Sequence, residues 1–248
     1  MTPLTLEYAV RSDVGRRRAN NEDAVFASPR LAAVADGVGG AAAGEVASRL
    51  AIDALAHLDK CRLRGELEAA MSEAVATAND RIGFVASCRP DTAGMSTTLT
   101  AVALGDDRYV LANVGDSRTY LLRDGTLMQL SRDDTWIQLM IDSEQLTVVE
   151  GQRHPQRSLV LEVLDGDPRR HLALRTVRAR RGDRLLLCSD GLSDMVDDDA
   201  IAAALRIASR DACADRLIEL ALAAGGRDNV SAVVADVVPR RDPATAWE

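Results

Sequence analysis

The stretch from Leu31 to Gly40, LAAVADGVGG, constrains this chain most, because a run of small apolar residues ends abruptly in an acid and a cluster of glycines. Such a run predicts a buried strand whose last residue delivers one carboxylate, that of Asp36, to the rim of a sheet. The glycines behind it let the backbone turn sharply and bare its carbonyl and N–H groups. The pattern recurs as Leu185 to Gly191, LLLCSDG, another apolar run stopped by Asp-Gly. Two strand-end carboxylates point to a metal site.

The rest of the chain supplies the frame. Leu4 to Val10 alternates as a half-buried strand does, and Ala24–Ala27 and Leu31–Ala35 read as strands joined at Ser28-Pro29-Arg30. Val46, Leu50, Ala54 and Leu58 form one helical stripe, and Leu67, Met71, Ala74, Val75, Ala78, Ile82 and Val85 form a second. Both belong to a helical layer over one face, with His57 exposed or capping. Thr97–Leu104, Tyr109–Val114 and Thr119–Leu122 predict an antiparallel meander. Asp124-Gly125 is a control: it needs nothing beyond a hairpin turn. Ser131 to Arg157 loses periodicity around a short amphipathic helix near Trp136, and reads as a functional flap rather than a linker. Beyond it, Leu172–Val177, Arg184–Ser189 and Val230–Val238 read as strands. Ala200–Ile207 and Ala212–Ala224 read as helices, the second capped by Asp211. The tail from Pro239 is expected to be disordered.

Composition removes several function classes. A length of 248 residues with 47% apolar content suits one large globular domain. A net charge of −8 leaves no basic excess for general nucleic-acid binding, although Arg16-Arg17-Arg18 forms a local basic cluster. Cys61, Cys88, Cys188 and Cys213 are widely spaced without a CxxC, which argues against a disulfide framework or a zinc site and for a reducing cytoplasm. The start of the chain has no signal-peptide pattern, and no apolar run approaches the about 18 residues of a membrane span.

Asp36, Asp190 and Asp228 each stand between a strand pattern and a turn, and Asp116 lies at a similar break. An all-oxygen set without His or Cys companions suits Mg²⁺ or Mn²⁺ better than zinc. In order, the chain carries Gly15-x-x-Arg18-x-x-Asn21-Glu22-Asp23, Asp36 to Gly40, Ser96-Thr97-Thr98-Leu99, Gly115-Asp116-Ser117-Arg118, His154-Pro155-x-Arg157, Ser189-Asp190-Gly191-Leu192 and Arg227-Asp228-Asn229-Val230. This set resembles the PP2C (PPM) family of metal-dependent serine/threonine protein phosphatases in its compact bacterial form, from about Leu4 to Val238.

The resemblance implies an α+β fold: a four-layer α-β-β-α sandwich of two antiparallel sheets flanked by helices. It implies one catalytic domain over residues 1–238, with a flap at about 131–158 and a tail at 239–248. Asp36 would bridge two Mn²⁺ or Mg²⁺ ions, the Gly37 carbonyl would bind one, and Asp190 and Asp228 would complete the other. Glu22 and Asp23 would hold metal-bound waters. A third, weaker ion would sit near Asp116 and share Asp190, while Arg18 would bind the phosphate. The implied reaction is direct attack of a metal-bridging hydroxide on phosphoserine or phosphothreonine, opposing a bacterial Ser/Thr kinase, in a cytoplasmic monomer that binds neither nucleic acid nor membrane.

Departures limit the carry-over. Val38 stands where eukaryotic relatives commonly have a histidine proposed as general acid, so the leaving-group proton needs another source. Asp134 stands where bacterial relatives often carry His, and Ser158 follows Arg157 where Asn is frequent. These changes bear on substrate choice rather than on the metal set, and His154 reads as support for the flap. A catalytically silent phosphoprotein-binding module on the same fold is the main alternative, which the intact Asp36, Asp190 and Asp228 set argues against. A phosphatase of small phosphomonoesters is a further one.

Overall fold

Strands in this chain are rich in alanine, valine and leucine because most of them bury both faces, and every strand pair among the described residues is antiparallel. The computed structural model describes residues 3–38, 43–60, 67–170 and 172–240. Its strands are β1 (Leu4–Asp13), β2 (Asp23–Ala27), β3 (Leu31–Val38), β4 (Ser96–Thr97), β5 (Leu99–Leu104), β6 (Arg108–Val114), β7 (Arg118–Arg123), β8 (Thr126–Gln129), β9 (Ala173–Arg178), β10 (Arg184–Cys188) and β11 (Val230–Pro239). Its helices are α1 (Gly44–Lys60), α2 (Leu67–Cys88), α3 (Trp136–Asp142), α4 (Val148–Gln152), α5 (Asp190–Ser193), α6 (Asp198–Leu205) and α7 (Arg210–Ala223).

One sheet runs β1-β11-β10-β7-β8; the other runs β2-β3-β5-β6-β9, with β4 also paired to β3. Side-chain alternation sorts the core into three apolar layers. Ala32 and Val34 of β3 meet Leu185 and Leu187 of β10 between the sheets. Leu31, Ala33 and Ala35 point the other way, onto α1 and α2. Leu186 and Cys188 point outward onto α6 and α7. The architecture is therefore the expected four-layer α-β-β-α sandwich, and Cys188 is the buried strand residue its neighbours predict.

Several boundaries differ from the sequence reading. Asp36 does not end its strand: β3 continues to Val38 because Gly37 and Val38 pair with Thr97 and Ser96 of β4. Helix α7 is capped by Ser209, whose hydroxyl accepts from the Ala212 N–H, rather than by Asp211. The flap holds a second helix, α4, started by a capping box between Thr147 and Glu150. Pro239 closes β11, and Arg240 donates its N–H to the Pro3 carbonyl. Gly39, Gly40, Cys61 and the tail beyond Arg240 lie outside the described residues.

Candidate metal centre

Strand register begins the site. Pairing of β2 with β3 sets Asp23 directly opposite Asp36, so two acids share one edge of the sheet. Asp190 opens α5 where β10 of the other sheet ends, and Asp228 lies in the turn that feeds β11. Gly191 lets the two turns of that sheet converge: a Cβ there would lie 1.9 Å from the Asn229 carbonyl oxygen.

Buried polar side chains fix this arrangement. Asn229 accepts from the Glu22 N–H at 2.8 Å and donates to the Val14 and Asn20 carbonyls at 2.9 Å each, tying the loop before β2 to the turn before β11. Ser189 donates to Asp23 Oδ2 at 2.8 Å and accepts from the Ser231 N–H at 2.9 Å, joining the sheets. Thr98 anchors the Asp36 backbone through the hydrogen bond between its own N–H and the Asp36 carbonyl, 2.8 Å, and its hydroxyl meets that of Ser117 at 2.8 Å. The loop carrying Asp116 is thus joined to the strand carrying Asp36. Sequence reasoning placed Asn229, Ser189 and Thr98 inside motifs without reading these roles.

The acids share one electrostatic field. Burial pushes the Asp36 carboxyl well above the usual range, and the charges of Asp23, Asp190, Asp116 and Asp228 push it further. Asp190 is raised in the same way, first by burial and then by Asp116, Asp194 and Asp228. Burial also lifts Asp23 and Asp116 to about 6 each. Asp194, four residues beyond Asp190, belongs to this field and lies 3.8 Å from Arg157 of the flap; the sequence reading missed it.

Whether these acids fit a cation follows from their unpaired atoms. Among the described residues no three His, Cys, Asp or Glu side chains are drawn up into a finished ligand shell. Each acid residue keeps some surface open to solvent, yet Asp23 Oδ1 and Asp190 Oδ1 are out of solvent reach with no hydrogen-bond partner. A buried carboxylate oxygen without a donor carries a desolvation cost that a cation would offset. Oxygen-only donors of this kind suit hard divalent ions. The residues fit the group.

Arg18 is exposed, and its Nη2 donates to Asp228 Oδ2 at 2.6 Å. This contact pairs it with Asp228 and not with the nearer Glu22 or Asp23 in sequence, and it raises the guanidinium further above its ordinary range. On the other side of the site the flap root is tied to the Asp116 loop: the Asp134 N–H donates to the Gly115 carbonyl at 2.9 Å, and Asp134 Oδ2 accepts from the Gly115 N–H at 3.1 Å. Within the flap, the rings of His154 and Trp136 lie 5.0 Å apart, in keeping with structural support.

Comparison with known proteins adds a lineage. The profile of the protein phosphatase 2C family matches residues 15–216. The serine/threonine protein phosphatase PstP of Mycobacterium tuberculosis is 53% identical over 236 residues, covering 95% of this chain and 46% of that protein. The chain therefore spans about half the length of the mycobacterial relative it matches. The serine/threonine phosphatase stp of Listeria monocytogenes is 33% identical over 238 residues, covering 91% of this chain and 94% of that protein. Among solved structures, the catalytic domain of PstP in complex with two manganese ions superposes with a TM-score of 0.89 at 51% identity, over 95% of this chain and 99% of that one.

Proposed function

Because the chain belongs to the protein phosphatase 2C family, we propose that it is a divalent-metal-dependent phosphatase of phosphoserine and phosphothreonine in proteins. The observation that carries the reading is the set of acids between the sheet ends, with Asp23 Oδ1 and Asp190 Oδ1 buried and unpartnered. Asp36, the Gly37 carbonyl, Asp190 and Asp228 would hold two Mn²⁺ or Mg²⁺ ions, with Glu22 and Asp23 behind them through water. Asp116, which together with Asp190 lies in the same field, would serve a third, weaker ion. Such ions lower the pKa of water and neutralise phosphoryl oxygens.

The chain's own groups do the rest. Arg18 stands at the rim with a planar fork suited to two phosphate oxygens. Asp23 is held by the Ser189 hydroxyl, which keeps its other oxygen aimed inward. Cys188 is buried among outward-facing apolar residues and cannot serve as a nucleophile, in keeping with direct attack of water and no phosphoenzyme. Val38 offers no proton to the leaving group. The flap around residues 131–158 bears on substrate choice, because its root is bonded to the Asp116 loop.

The substrate class calls for a bacterial Ser/Thr kinase as the opposing enzyme. Free thiols at Cys88, Cys188 and Cys213 agree with a cytoplasmic setting. Helices of the chain itself cover an outer face of each sheet, which agrees with action as a monomer. Among the described residues no helix is long and apolar enough to cross a membrane. Hydrolysis of a phosphothreonine peptide against Mn²⁺ concentration tests the reading. Turnover should require metal, be nearly abolished in Asp190→Ala, and show a raised KM in Arg18→Ala. A folded sample inactive at every Mn²⁺ level would overturn it.

A further inference from the structure

Arg16, Arg17, Arg18 and Arg227 are all exposed, and they stand on two loops that are held together as one rim. The Arg16 N–H donates to the Gly226 carbonyl at 2.7 Å. Gly15 lies so close to the second loop that a Cβ there would be 2.1 Å from the Asp228 carbonyl oxygen. Asn229 bonds the Val14 and Asn20 carbonyls on either side of the arginines. The backbone that carries these side chains is therefore braced, and it keeps them on the same two loops as Arg18 and Asp228.

Some surface arginines are paired with acids and others, Arg49, Arg81 and Arg153 among them, have no ion pair among the described residues; at this rim three unpaired ones stand together on two joined loops. Arg11 is bonded to Asp211 and Asp215, Arg89 to Asp91, and Arg169 to Asp167. Among the described residues no carboxylate lies within ion-pair distance of Arg16, Arg17 or Arg227, and Arg18 pairs with Asp228. Asp13, the acid nearest Arg16 in sequence, is turned into its own loop, where Oδ1 accepts from the Gly15 N–H at 2.7 Å, and Asp228, next to Arg227, is paired with Arg18. On a chain of net charge −8, this is a concentrated patch of the opposite sign at the edge of the candidate centre.

We propose that Arg16, Arg17 and Arg227 select phosphopeptides with aspartate or glutamate flanking the phosphoserine or phosphothreonine. The proposal rests on the phosphatase reading above and adds a substrate class to it. With a phosphate at Arg18, an extended peptide carries its neighbouring residues about 3.3–3.6 Å further per position. Side chains up to two positions away then fall within the screening length of about 8 Å at physiological salt. Guanidinium forks match carboxylates, and each exposed pair is worth at most about a factor of five. Two engaged pairs give a preference on the order of tenfold, expressed in KM and in association rate rather than in the chemical step.

Matched phosphothreonine peptides, one flanked by Asp and Glu and one by Asn and Gln, test this in Mn²⁺ at low and high salt. The native chain should favour the acidic peptide on the order of tenfold in kcat/KM, with the preference shrinking as salt rises. The triple variant Arg16→Ser, Arg17→Ser, Arg227→Ser should lose the preference through KM, yet hydrolyse a small aryl phosphate at the native rate. Equal use of both peptides by the native chain, or a preference that survives in the triple variant, would overturn the proposal. Failure to hydrolyse any of the three compounds would instead remove the phosphatase reading. Fluorescence anisotropy of the labelled peptides then decides the rim alone: tighter binding of the acidic peptide to the native chain only supports it, and equal binding to both chains overturns it.

Discussion

Asp183 and Asp190 lie seven residues apart on either side of β10, and they show two ways for a protein to keep a carboxylate out of water. Asp183 is buried at 2% exposure and fully supplied by the chain itself. Arg123 donates to both of its oxygens at 2.7 and 2.6 Å, and the Tyr109 hydroxyl and the Arg180 N–H donate to Oδ2 at 2.5 and 2.8 Å. Asp190, at the other end of the strand, remains partly open to solvent, and its Oδ1 has no donor. Its neighbours are more acids, Asp116, Asp194 and Asp228. At one end of the sandwich an internal cation satisfies the buried acid; at the other, Arg18 reaches Asp228 while Asp190 is left among like charges with an oxygen that no donor meets. A site of the second kind gains its counter-charge from outside the chain, which is what a metal centre requires.

Breaking each end should give opposite signatures. The largest expected effect is on Asp190→Asn: Mn²⁺-dependent hydrolysis should fall by more than the roughly 10–100-fold that losing a residue one step behind a metal costs. With a chelator present, the same variant should melt at or above the native temperature, because a buried like charge has been removed. A calorimetric loss of stability in Asp190→Asn under chelation would erase the contrast with Asp183. Next in size is Arg123→Ala, which strands the Asp183 carboxylate and should cost about 3–5 kcal/mol by denaturant unfolding. Because that pair is remote from the acids of the centre, the Mn²⁺ concentration for half-maximal turnover should stay unchanged; a shift would mean that the two ends are coupled.

Much of this contrast was legible in the chain, for a physical reason. An acid that follows LAAVA or LLLCS announces itself by its apolar flank, so Asp36 and Asp190 stand out from the many surface aspartates. The both-face burial of β3 and β10 likewise shows as unbroken apolar runs. Asp183 could not be picked out, since its Arg-Arg-Gly-Asp surroundings read as an exposed turn and its partners Tyr109 and Arg123 are distant in sequence. The extension of β3 through Gly37 was hidden because it depends on a two-residue partner strand, β4. Ser189, Thr98 and Asn229 escaped for the same reason: small polar residues gain their meaning from non-local backbone groups that no local pattern reveals.

Asp23 lies between the two cases and gives the smallest, sharpest test. One of its oxygens accepts from Ser189 at 2.8 Å, as in an internally supplied acid, while the other has no partner, as in Asp190. Ser189→Ala removes that donor and the acceptor of the Ser231 N–H, which should cost about 1–3 kcal/mol. If the hydroxyl serves only the fold, thermal melting should shift and the Mn²⁺ dependence should not. If it also aims Asp23 toward the centre, more Mn²⁺ should be needed for half-maximal turnover, by roughly tenfold, the lower end for a residue standing behind a ligand. Ser189→Thr keeps a hydroxyl and should restore much of the metal response even where its extra methyl costs stability in a buried position. We expect the second pattern, because the serine bonds one carboxylate oxygen and leaves its twin pointing into the shared field of Asp36 and Asp228.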